Sequence, residues 1–136
     1  MSDVLLACSD AVLAPALERL QLELGLTQAD RLLIPGGPLL LARPGMERRV
    51  VLECLTTLVE GHGARRIVLV SHQQCSSYER ALGGFGFDQQ ELLERDLLLV
   101  RTVIETAFPQ VEVASYFIPW HEDNDVATFG EPIVVE

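Results

Sequence analysis

Residues 67–70, Ile-Val-Leu-Val, form an unbroken aliphatic run between Arg65-Arg66 and Ser71-His72. No polar residue alternates with these side chains, so a strand made from them must be covered on both faces. That requirement selects a parallel sheet with helices on either side. The rest of the chain alternates in the way such a sheet needs. Residues 4–7 and 31–34 are further short strands, 111–118 a fourth, and 133–135 a possible fifth near the C-terminus.

The segments between them carry helical periodicity. Pro15 suits a first helical turn, Leu13, Leu17, Leu20 and Leu24 mark one face, and Gly25 can close the helix. A second helix is expected over 47–60, with Val50, Cys54 and Leu58 inward, which places Cys54 in the core. Gly61 and Gly63 end it and leave His62 at an exposed helix end. A helical start spans 76–82, then a GGFGF loop, then Asp88 with Glu91 as a capping box for a long helix. The apolar stripe of that helix is Leu93, Leu97, Val100, Ile104 and Phe108, with Pro109 as its stop. His121, Glu122, Asp123 and Asp125 suggest a solvated turn. With no repeat, linker or low-complexity segment, the expectation is one α/β domain over residues 1–136, a mostly parallel central sheet flanked by helices.

Composition removes several function classes. The formal net charge is −10, the wrong sign for nucleic acid or an anionic membrane. Hydrophobic residues make up 49% of the chain and mean hydropathy is +0.25, which implies surface covered by a partner and therefore a homodimer or larger homo-oligomer. Three cysteines, an odd count without framework spacing, point to a reducing, cytoplasmic setting. The apolar run 4–7 is too short for a signal peptide and has acidic Asp3 before it. The longest apolar zone, 32–42, is broken by Pro35, Gly36, Gly37 and Pro38, which excludes a transmembrane helix. That same Pro-Gly-Gly-Pro stretch is either a plain tight turn or a loop that turns backbone N–H groups toward a polar ligand.

Chemistry in open α/β sheets gathers past the carboxyl ends of the strands. The run 67–70 delivers Ser71, His72 and Cys75 to such an end, and Cys8 follows the first strand in the same way. Two thiols and an imidazole are a borderline-soft set suited to zinc. Taken singly, each is equally at home in a packed core, since free Cys is among the most buried residue types. Other chemistries fit less well. Between Cys75 and Arg80 there is no Gly-rich anion cradle of the phosphatase kind, and Ser71 and His72, adjacent on a strand, point to opposite sides.

Cys8-Ser9-Asp10 after one strand and His72-Gln73-Gln74-Cys75 after another resemble the β-class carbonic anhydrases. The likeness of layout runs over nearly the whole chain: Ala29-Asp30 stands where that family has Gly-Asp, and Pro35-Gly36-Gly37 where it has Asn-Ala-Gly. The resemblance implies a Zn2+ ion held by Cys8, His72 and Cys75, with Asp10 as the catalytic acid, gate or fourth ligand. It also implies reversible hydration of carbon dioxide to bicarbonate by zinc-bound hydroxide. The chain departs from the pattern in three ways. Val12 occupies the place of the arginine that draws the aspartate off the metal, Ser76 that of a glycine, and only seven residues precede Cys8 where the family has N-terminal helices that embrace a partner subunit. Without that arginine either Asp10 stays on the metal, or a cation such as Arg43 or Arg31 replaces it. The alternative to an enzyme is a non-catalytic relative with a structural or closed metal site.

Overall fold

The computed structural model describes residues 3–26, 28–82, 89–123 and 126–136. The GGFGF loop, the Asp88 cap and Asp125 lie outside the described residues. Strand β1 is Asp3–Ala7, and Pro15 sits in the first turn of helix α1, Ala14–Glu23, as its fixed φ favours. Strand β2, Asp30–Leu33, leads into a 3-10 turn, Gly37–Leu41, and then into helix α2, Met46–Thr56, which continues as one π turn, Thr57–Gly61. Strand β3, Arg66–His72, is followed by the short helix α3, Ser76–Leu82, and the long helix α4, Gln89–Ala107. The chain ends with β4, Glu112–Ile118, β5, Trp120–Asp123, β6, Val126–Phe129, and β7, Ile133–Val134.

Five strands make one sheet in the order β2-β1-β3-β4-β7. The first four are mutually parallel and only β7 runs antiparallel, beside β4. Val4, Leu5, Leu6 and Ala7 of β1 and residues 67–70 of β3 are all fully buried, as runs without polar alternation require. Burying each Leu, Ile or Val contributes roughly 1.5–3 kcal/mol. Leu93, Leu97, Val100 and Ile104 of α4 are buried as a stripe, and this helix packs on β3, β4 and the Gly37–Leu41 turn. Among the described residues no helix is long and apolar enough to cross a membrane.

The topology fixes where a site belongs. The chain leaves β1 for β2 on one side and then returns to β3 on the other, so the strand order reverses between β1 and β3. Ala7 pairs with Val70, and Cys8 therefore emerges beside the end of β3.

Two expectations are corrected. The buried face of α2 is Val51, Leu55 and Val59, one residue round from Val50, Cys54 and Leu58, and Cys54 is exposed. Each inward residue has an apolar neighbour in sequence (Val50-Val51, Cys54-Leu55, Leu58-Val59), so two stripes compete and contact with the sheet decides. Residues 121–123, expected in a solvated turn, instead belong with Trp120 to a strand paired with β6, in which Trp120 pairs with Phe129. Edge-to-face packing of those two rings, 4.9 Å between centroids at 75°, gives the hairpin an apolar anchor.

Candidate metal centre

Cys8 is the first residue past β1, and the turn after β2 closes over it. Gly37 adopts φ +54°, and a Cβ there would lie 2.7 Å from both the Ala7 carbonyl carbon and the Cys8 nitrogen. Only glycine allows that approach. Ser9 N–H donates to the Ile34 carbonyl at 3.2 Å, and the N–H groups of Gly36 and Asp10 are directed at the Cys8 sulfur. The Pro-Gly-Gly-Pro loop thus presents one backbone donor, the Gly36 N–H, to a polar atom, and that atom is a ligand candidate of the chain itself.

His72 ends β3 and is 1% exposed. Its Nδ1 lies 2.7 Å from the Gln73 carbonyl, which can only accept, so Nδ1 carries the proton. Nε2 is then left with a lone pair, and it is buried without a hydrogen-bond partner. Phe129 meets the imidazole edge to face, 5.5 Å between centroids at 89°. Gln73 is fixed in turn, since its Oε1 accepts from Trp120 N–H at 2.9 Å and its N–H donates to the Ile118 carbonyl at 2.9 Å. Gln74 then reverses the chain with φ +64°, a left-handed conformation unusual for a residue with a side chain. This reversal returns Cys75 to the site at the start of α3, where the Tyr78 and Ser77 N–H groups face its sulfur.

Cys8, His72 and Cys75 are all buried, and their ligand atoms lie within 4.8 Å of one another. Tetrahedral zinc with bonds near 2.3 Å needs separations of about 3.8 Å, so modest contraction would complete the set. The two thiols influence each other strongly. A hydrogen bond from the Cys75 thiol holds Cys8 well below the usual thiol range, and the two backbone donors act the same way against the opposing effect of burial. Cys75 is pushed up, first by that hydrogen bond and then by burial. Such a pair shares one proton until a cation takes its place. An orphaned imidazole nitrogen in a buried group with two sulfurs fits a thiophilic metal ion.

Asp10 stands beside this group but not in it. Its Oδ1 accepts from Val12 N–H at 3.0 Å and caps the 3-10 turn Ala11–Leu13. Among the described residues the ion pairs are His62–Asp30, Arg66–Asp3 and Arg101–Glu105, so neither Arg31 nor Arg43 pairs with Asp10. Arg43 instead lines a cavity of about 60 Å³ with Gly36, Ser77 and Tyr78, and Arg31 lies in a different cavity with Glu18 and Gln21. His62, exposed as expected, bonds to Asp30 at 2.8 Å.

No protein-family model matches the chain, and no curated protein matches it by sequence. Among solved structures, the carbonic anhydrase from Streptococcus mutans superposes with a TM-score of 0.56 at 17% identity, over 98% of this chain and 80% of that one. The chain has the β-carbonic anhydrase fold. The β-carbonic anhydrase CafA of Aspergillus fumigatus is also similar, with a TM-score of 0.46 and 15% identity over 95% of this chain and 75% of that one. Val12 is 61% exposed, and its main-chain N–H holds the Asp10 carboxylate.

Sequence reasoning did not find the Phe129 ring on His72, nor the Gln73–Trp120 bond. The polar Asp-Asn-Asp between Trp120 and Phe129 in the sequence was the available signal, since such residue types flanked by aromatic and β-branched positions mark hairpins.

Proposed function

We propose that the protein is a zinc-binding, carbonic anhydrase-like enzyme in which Cys8, His72 and Cys75 hold the metal and carbon dioxide is reversibly hydrated. The observation that carries this reading is the buried, partnerless Nε2 of His72 beside two sulfurs in this fold. The chemistry zinc supplies in such a ligand set is Lewis acidity toward water, lowering its pKa toward about 7. The chain's own residues do the rest. Gly36, Asp10, Ser77 and Tyr78 present N–H groups that stabilise thiolates at Cys8 and Cys75, and Gln73 fixes the His72 tautomer. Asp10 is kept on the Val12 N–H through Oδ1, which leaves Oδ2 to accept a proton or orient a small neutral substrate. Reduced thiols suit a cytoplasmic setting. Exposed Met46 and Val50, beside an apolar groove that includes Leu32 and Ile34 near the β2 edge, favour a homodimer or larger assembly.

Val12 itself favours a second reading, a non-catalytic relative with a closed metal site. A main-chain N–H offers the carboxylate a single hydrogen bond from a neutral donor in place of a bidentate pair from a cation, and the two differ by roughly 1–2 kcal/mol. Elemental analysis of protein purified without chelator is expected to give close to one zinc per chain, falling to near zero in Cys75→Ser. Unchanged zinc in that variant would refute the ligand set. Stopped-flow hydration assays then separate the readings. A wild type with measurable activity, raised about tenfold by Val12→Arg, supports the enzyme, whereas silence in both supports the structural site.

A further inference from the structure

Cys75 owes its placement to α3, and α3 is too short to hold itself. Seven residues make two turns, well below the length at which an isolated helix persists. The third of them, Tyr78, is 5% exposed, and its hydroxyl donates a hydrogen bond to Oδ2 of Asp96 on α4, 18 positions along the chain. Burial first, and the Asp96 carboxylate second, push the phenol pKa up, so Tyr78 is the donor and Asp96 the acceptor. Asp96 is half-buried at the margin of the Leu93, Leu97 and Val100 stripe. Aspartate is a poor choice for the interior of a helix, and its bond to Tyr78 gives it a role there. The same Tyr78 donates its main-chain N–H to the Cys75 carbonyl at 3.1 Å, which ties the residue carrying the sulfur to the first turn of α3.

We propose that the Tyr78–Asp96 hydrogen bond positions the Cys75 sulfur, fastening the first turn of α3 to α4 and so setting how tightly the metal is held. The inference rests on the metal centre proposed above and adds a positioning pair to it. Tyr78 and Asp96 touch neither metal nor substrate in this arrangement. They act through the main-chain bond from Tyr78 N–H to the Cys75 carbonyl, in the manner of outer-shell partners whose loss typically costs 10–100-fold in metal affinity.

The test is zinc affinity by competition with a chromophoric chelator, paired with the absorption spectrum of the cobalt-substituted protein. Tyr78→Phe keeps the ring and removes only the hydroxyl. It is expected to weaken zinc about tenfold and to shift the thiolate-to-cobalt charge-transfer band. Asp96→Ala should match it, the double variant should be no weaker than either single one, and Asp96→Asn, which retains an acceptor oxygen, should return affinity to within about threefold of wild type. A wild type that holds zinc while Tyr78→Phe stays within twofold of it, with an unshifted cobalt band, overturns the positioning role alone. Equal losses in Asp96→Asn and Asp96→Ala overturn it too. A wild type that takes up no zinc overturns the metal centre and this inference together.

Discussion

The two strand ends that meet at the site are built differently. At the end of β1, Cys8 is held by backbone: the Gly36-Gly37 turn lies against the Ala7-Cys8 peptide, and N–H groups from Gly36 and Asp10 are directed at its sulfur. At the end of β3, His72 and Cys75 are held by side chains from distant parts of the chain, with Phe129 on the imidazole, Gln73 tied to Trp120, and Tyr78 tied to Asp96. A ligand enclosed by backbone is hard to displace and hard to tune. One held by side chains can be adjusted a residue at a time, so in the proposed metal centre the β3 end is where affinity would be set.

Gly37→Ala tests the backbone-held end and should have the largest effect. Its Cβ would meet main-chain atoms at 2.7 Å that no rotamer change can move, and the residue would also have to keep φ +54°. Overpacking and a left-handed residue together cost about 2–4 kcal/mol, read as a lowered denaturant midpoint. A cost below about 1 kcal/mol would show that the turn yields and that this end is as adjustable as the other. Phe129→Leu tests the side-chain-held end. It should cost about 1–1.5 kcal/mol of stability, while zinc affinity falls because the His72 ring loses its edge contact. Lost stability with unchanged affinity would reduce the hairpin to packing.

The same division decides what could be seen from sequence. Strands β1 to β4 and the faces of α1 and α4 were legible because each follows a simple period, aliphatic runs in β1 and β3, alternation in β2 and β4, and Leu17-Leu20 or Leu93-Leu97-Val100-Ile104 for the helices. Cys8, His72 and Cys75 could be brought together on paper because parallel strands bring their carboxyl ends to one edge. The face of α2 was not legible, since apolar doublets give two equal stripes. The hairpin was missed because its anchor is a pairing of Trp120 with Phe129 across a polar turn, and Asp96 because the reason for a carboxylate in α4 lies 18 residues away. Local chemistry was readable, whereas the supports that reach the β3 end from elsewhere carry no local mark.

The smallest effect comes from Gln74, between the two ligand candidates of the β3 end. At φ +64° a glutamine bears the cost of the left-handed region, about 1–2 kcal/mol, which glycine avoids. Glycine gives back roughly 0.5–1 kcal/mol through the greater freedom of its unfolded chain. On the backbone balance alone, Gln74→Gly should therefore leave stability unchanged or raise it by up to about 1.5 kcal/mol in chemical denaturation. Gln74→Val should lower it, because a β-branched residue tolerates that conformation least. The backbone reversal places Cys75 beside His72, so zinc affinity in Gln74→Gly reports whether the loop is held in shape by its neighbours. If Phe129, Trp120 and Asp96 hold it, affinity is retained within about twofold. If affinity falls further while stability does not, the geometry of the β3 end depends on Gln74 itself, and the contrast with the glycine-built β1 end narrows to a difference in which residue does the holding.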